Sequence, residues 1–196
     1  MDWGTVITPE LPFRSQPRIS RSEFSFIIRL HAAAAVSAER DPGQYYDAIK
    51  SFGIDPLLIL AMFQHESQMG REGVATQTRS WGNTRLPNFG AQSVGMADGA
   101  SGQFPIFATW LNGCISTAAR LASTTYVYAA RTTIRDIFDW PPDPEIVWAP
   151  AGDFNNPASY LRAVIDYMNA QLTELLTTGG SIGKAIGQKA PATLDD

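Results

Sequence analysis

The side chain best placed to do chemistry is that of Glu66. It stands in Leu57-Leu-Ile-Leu-Ala-Met-Phe-Gln-His-Glu-Ser-Gln-Met69, a run in which long apolar residues dominate. On a helical wheel with Leu57 at zero and about 100° per residue, Leu58, Ile59, Met62, Phe63 and Met69 fall between roughly 100° and 240°. Gln64, Ser67 and Gln68 lie on the other side, and Glu66 lands at about 180°, inside the apolar stripe. Apolar surroundings disfavour the ionised carboxylate, so such a residue keeps its proton to higher pH. A proton-holding carboxyl at the edge of a cleft is what glycosidic bond cleavage needs from its general acid. The same placement also fits a buried ion pair, for which Arg71, Arg79 and Arg85 are the nearby cations.

Glycoside hydrolysis needs a second group to stabilise the transition state or activate water. Between residues 70 and 105 the carboxylates are Glu72 and Asp98. Asp98, in Gly95-Met-Ala-Asp-Gly99, reads as a catalytic partner or as a turn residue. Asn83 either hydrogen-bonds a sugar or holds its own turn. Trp81, Phe89, Phe104, Trp110, Tyr126, Tyr128 and Trp148 offer rings to stack on sugar faces or to fill a core. Trp81, beside Asn83, is preferred for stacking, with Tyr126 and Trp148 also assigned to substrate binding. His65 points about 100° away from Glu66 and is expected to pack. Asp153, Asn155 and Asn156 suggest either a cation site or a helix start. No metal-ligand spacing occurs, so neither a metal nor a cofactor is expected. Cys114 falls on an apolar stripe and reads as inert core.

Several elements must hold these groups. Residues 1–19 carry three prolines and predict an extended arm or edge strand. Ser20 and Glu23 have capping-box spacing before a helix over 21–39, which Asp41-Pro42-Gly43 stops. A short amphipathic piece follows from Tyr45 to Phe52. Asp55-Pro56 is a helix start, and the helix runs to Met69 and ends at Gly70. The Gly-, Asn-, Ser- and Gln-rich stretch 70–105 predicts an irregular lobe with room for a hairpin. Helical periodicity returns from Phe107 to Leu121, again over Thr132–Phe138, and after Asn156-Pro157 through Leu161, Val164, Ile165, Met168, Leu172 and Leu175. Residues 177–196 read as a flexible tail or linker. The fold class is mainly α, with one domain over 20–176.

Composition narrows the function. The 196 residues include 15 Lys+Arg against 19 Asp+Glu, a net charge of −4, which argues against nucleic acid as a partner. Hydrophobic residues make up 44% and charged ones 17%, enough for a sizeable core. The longest apolar stretch, Leu57–Phe63, is too short to span a bilayer. One cysteine excludes an internal disulfide and a cysteine-based zinc cluster. The start, MDWGTVITPELPF, lacks the basic-then-apolar layout of a signal peptide, so the expectation is export by another route or an excised fragment.

Four segments together resemble the glucosaminidase domains of bacterial and phage cell-wall hydrolases, glycoside hydrolase family 73 and its mannosyl-glycoprotein endo-β-N-acetylglucosaminidase-like relatives. They are Leu57 to Gly70 with Glu66-Ser67; Trp81-Gly-Asn-Thr-Arg85; Phe107-Ala-Thr-Trp110; and Trp148-Ala-Pro-Ala-Gly-Asp-Phe-Asn-Asn-Pro-Ala-Ser-Tyr160. The resemblance covers roughly residues 20–175. It implies a lysozyme-like helical fold, a monomer acting on peptidoglycan or a related N-acetylglucosamine polymer, and an extracellular or cell-wall location. It also implies cleavage of β-1,4 bonds after N-acetylglucosamine, with Glu66 as the acid and Asp98, 32 residues on, as its partner. The substrate's own acetamido group is the alternative to that second carboxylate. Met69 stands where an aromatic often precedes the glycine, and Trp148 replaces the usual tyrosine. An indole N–H donates a hydrogen bond but cannot accept a proton. A lytic transglycosylase or muramidase on the same fold is the nearest rival, although the Gly-Leu-Met-Gln type of run after the acid is absent. A non-catalytic glycan-binding module is the rival of another class.

Overall fold

The computed structural model describes residues 6–85, 89–99, 102–124, 128–139, 148 and 156–187. The protein is mainly helical. In chain order the elements are α1 (Arg21–His31), α2 (Ala34–Glu39), α3 (Gly43–Ser51), α4 (Pro56–Ser67), α5 (Ala75–Thr78), β1 (Ser93–Gly99), β2 (Gly102–Phe107), α6 (Trp110–Ala122), α7 (Ile134–Phe138) and α8 (Pro157–Gly187). The strands form one antiparallel pair, with Ala97 opposite Phe104 and Asp98 opposite Gln103. Among the described residues no helix is long and apolar enough to cross a membrane.

α4 is the axis of the core. The Asp55 side chain accepts from Leu57 N at its start, and Pro56 occupies the first turn, where a missing N–H costs nothing. Pro56 through Phe63 are all buried, so the first two turns are covered on every side rather than along one stripe. Each Leu, Ile or Phe buried there stabilises the fold by about 1.5–3 kcal/mol. Only the last turn, Gln64-His65-Glu66, reaches the surface in part. The helix ends in a left-handed run, Gln68 (φ 47°), Met69 (φ 55°) and Gly70 (φ 84°). Gly70 is required there: a Cβ would meet Trp110 Cη2 at 2.9 Å.

Several boundaries differ from the sequence expectation. The single helix over 21–39 is two, because Ala32 turns extended and Ala33 N donates to Met69 O at 3.0 Å. The capping box of Ser20 and Glu23 is present. The lobe over 70–105 contains the short helix α5 as well as the hairpin. Phe107 ends β2, and α6 starts at Trp110. Thr109 caps that helix, and the Glu39 carboxylate accepts from Trp110 N and Leu111 N at 2.7 and 3.1 Å. α8 continues to Gly187, past the position where a tail was expected.

Residues 6–19 are extended but not peripheral. Ile7, Phe13 and Ile19 are buried. Arg14 donates to the carbonyls of Leu121, Tyr128 and Arg131, tying the end of α6 to the chain before α7.

Candidate functional site

Glu66 projects from the last turn of α4 toward the first turn of α8, with which α4 packs. Three donors converge on its carboxyl. The Tyr160 hydroxyl, at the start of α8, donates to Oε1. Trp148 Nε1 donates to the same oxygen at 3.1 Å. Asn83 Nδ2 donates to Oε2 at 2.9 Å and to the Glu66 backbone carbonyl at 3.2 Å. All three donors are neutral. Neither an arginine nor a lysine lies within ion-pair distance of this carboxyl among the described residues. Arg79 instead donates to Phe107 O, Arg85 lies over the Phe104 ring, and Arg71 is exposed, so the ion-pair reading of Glu66 is not realised.

Each donor is held by local structure. Asn83 adopts φ 44°, a left-handed conformation that asparagine tolerates better than most residues. Its turn is closed by Thr84 N donating to Ser80 Oγ at 3.1 Å. The backbone just before it passes so close to α6 that a Cβ on Gly113 would sit 1.8 Å from Arg79 O. The Trp148 indole packs against Gly82, whose absent Cβ would meet Trp148 Cζ2 at 2.3 Å. Trp148 N donates to Ile137 O at 2.9 Å, fixing the indole to the end of α7. The Tyr160 ring stacks on Phe138 at 4.8 Å and meets His65 edge-on at 4.1 Å.

Burial pushes the Glu66 carboxyl up from its ordinary value, and the hydrogen bonds from Tyr160, Asn83 and Trp148 pull against that without reversing it. The residue as a whole is only partly covered, while its carboxyl group is enclosed by protein. Burial likewise raises Tyr160 well above the usual phenol range, and the adjacent Glu66 adds to the effect. Tyr160 is therefore a proton donor in this contact. His65 is pushed down by burial, which favours the neutral ring that packs on Tyr160.

The other expected site residues separate. Trp148 and Asn83 belong to the site, although each touches the acid itself. Trp81 is a correction: it is 0% exposed, stacked on Phe63 at 4.3 Å and near Tyr45 at 5.0 Å, so neither ring face is open to a sugar. Asp98 is exposed near the hairpin tip and accepts from Gln103 Nε2 at 3.3 Å; it is not among the groups that touch Glu66. Tyr126, Asp153 and Asn155 lie outside the described residues, and Asn156 caps the start of α8. No group of three or more metal-ligating side chains occurs among the described residues. Sequence reasoning missed Tyr160 as a contact of the acid. Its place in the Asn156-Pro157-Ala-Ser-Tyr160 segment was the available signal, but a separation of 94 positions in the chain gave no local clue.

No family model matches this chain, and no curated protein matches it.

Proposed function

We infer that this protein is a glycoside hydrolase with a lysozyme-like helical fold. Its substrate is peptidoglycan or a related N-acetylglucosamine polymer, and Glu66 is its general acid. The observation that carries the reading is a desolvated carboxyl with three neutral donors and no cation among the described residues. A guanidinium at this place would hold the group ionised; neutral donors steer it and leave it able to keep a proton.

The two carboxyl oxygens are not equivalent. Among the described residues, Oε1 accepts from both Tyr160 and Trp148, while Oε2 accepts from Asn83 alone. Oε2 therefore has the free lone pair, and it is the oxygen that carries the proton to the glycosidic oxygen. As the C1–O bond breaks, that proton moves to the leaving sugar and the glutamate becomes a carboxylate. The three donors then stabilise the new charge, which they serve better than the neutral acid. Water completes the reaction at C1, giving one proton back to Glu66. The substrate's acetamido oxygen is the alternative to a second carboxylate, as internal nucleophile before water adds.

The second reading is a lytic transglycosylase, in which one acid suffices and a hydroxyl of the sugar itself attacks C1. Reducing-end analysis separates the two, as glucosamine ends against anhydro products. A peptidoglycan substrate places the protein outside the cell or in the wall.

The test is muropeptide release from purified cell walls by wild type and Glu66→Gln. The expected loss is about a thousandfold, the scale of a removed general acid. Equal release by both proteins rejects Glu66 as the acid, and no release by either favours a glycan-binding module.

A further inference from the structure

A second feature lies just beyond the end of α4. A hollow of about 780 Å³ opens between the end of α1, the start of α2 and the left-handed turn at Gly70. Its walls are small, with Ala32, Ala33, Ala34 and Gly70 among them, and Arg29 and Arg71 contribute to its lining. Both guanidinium groups are available. Arg71 is exposed and makes neither an ion pair nor a side-chain hydrogen bond among the described residues. Arg29 is 63% exposed and sits at a loose 3.5 Å from Asp41, a carboxylate that Arg21 already holds at 2.8 Å. The acidic groups nearby are Asp41 and the exposed Glu72. In a chain of net charge −4, two arginines on one small-walled hollow are a local feature rather than general basicity.

The hollow is also tied to the acid. Arg71 N and Glu72 N both donate to Ser67 O, at 2.9 and 3.0 Å, folding Arg71 back onto the last turn of α4. Ser67 adjoins Glu66, and successive Cα atoms are about 3.8 Å apart. Arg71 of the hollow therefore follows directly on the turn that carries the acid.

We propose that this hollow is a subsite for the carboxylate-bearing peptide branch of peptidoglycan, with Arg29 and Arg71 binding its free carboxylates. The ligand class rests on the glycan-hydrolase reading of Glu66. Two forked guanidinium groups match carboxylates geometrically, and walls of alanine and glycine admit a backbone with short side chains. A plain N-acetylglucosamine polymer has no carboxylate to offer. The subsite therefore selects for peptide-bearing strands without taking part in bond cleavage.

The test uses the intact protein and a synthetic alanyl-isoglutamyl-lysine tripeptide, in free-acid and carboxamide forms, followed by amide NMR. Saturable shifts at Gly70 and Arg71 are expected with the free acid, and binding about tenfold weaker with the carboxamide, as for loss of a charge-assisted hydrogen bond. The double variant Arg29→Ala/Arg71→Ala is expected to lose a similar factor, and Arg71→Lys to lose less. Equal binding of the two peptide forms, or wild-type binding by the double variant, overturns the proposal, as does the absence of saturable binding. In a second arm, the double variant should raise KM on peptide-bearing strands and leave hydrolysis of peptide-stripped strands unchanged; an equal effect on both substrates also overturns it. Failure of the Glu66 reading is distinguishable, because Glu66→Gln would then digest walls as wild type does, whatever the tripeptide result.

Discussion

The two ends of α4 each bury a carboxylate, and they treat it differently. At the start, Asp55 is 0% exposed and meets the Arg18 guanidinium, while also capping the helix through Leu57 N. At the end, Glu66 meets an amide, an indole and a phenol. Burial raises both carboxyls, but at Asp55 a full positive charge opposes the rise first, whereas at Glu66 only neutral hydrogen bonds do. The first arrangement fixes the chain. The second holds a carboxyl in place without committing it to one protonation state, as proton transfer requires.

The largest effect expected from breaking the comparison is at the charged end. Arg18→Ala leaves Asp55 buried without its cation and should lower stability by about 3 kcal/mol, the lower end for a broken buried pair because Arg18 is partly exposed. Urea unfolding measures this, and activity per folded molecule should stay at the wild-type level. Glu66→Gln should change stability by less than about 1 kcal/mol, since no ion pair is lost. If the two variants cost the same, the two ends are not chemically distinct.

Gly82→Ala comes next. The added methyl occupies the space of the Trp148 indole, 2.3 Å from Cζ2, so the indole must move off Glu66 Oε1. Wall hydrolysis should fall by about tenfold, the scale of one hydrogen bond to a charged group. Indole fluorescence reports the displacement independently. Full activity with a displaced indole would remove Trp148 from the account.

Tyr160→Phe is the mildest change. The phenol stabilises the ionised carboxylate, so its loss lets burial push Glu66 further up. A general acid works while protonated, so the alkaline limb of the pH–rate profile should move to higher pH. Movement to lower pH would mean that the phenol favours the neutral acid.

Much of this was legible in the sequence where the signal was local. The Asp55-Pro56 start and the Ser20–Glu23 box are short-range hydrogen-bond patterns, and both are present. Glu66 stood out as a carboxylate among apolar residues, although the wheel implied one buried stripe and the structure buries the first two turns all round. What was not legible depends on distant partners. Trp81 looked like a surface ring because its neighbours are glycine, asparagine and serine. Its burial comes from Phe24, Tyr45 and Phe63, which only tertiary packing brings to it. The break at Ala32 was hidden because alanines favour helix, and the carbonyl that interrupts them belongs to Met69. Tyr160 was equally hidden, its importance lying in a contact across the α4–α8 interface.

The central claim is that the Glu66 carboxyl holds its proton because it is enclosed with no cation beside it among the described residues. Glutamate labelled with 13C at the side-chain carboxyl, with the Glu66 signal assigned by its loss in Glu66→Gln, tests this by NMR titration. This carbon is expected to change shift at a pH above the ordinary glutamate range. Titration within or below that range would mean that the enclosed carboxyl is ionised like a solvated glutamate, and its role as proton donor would be contradicted.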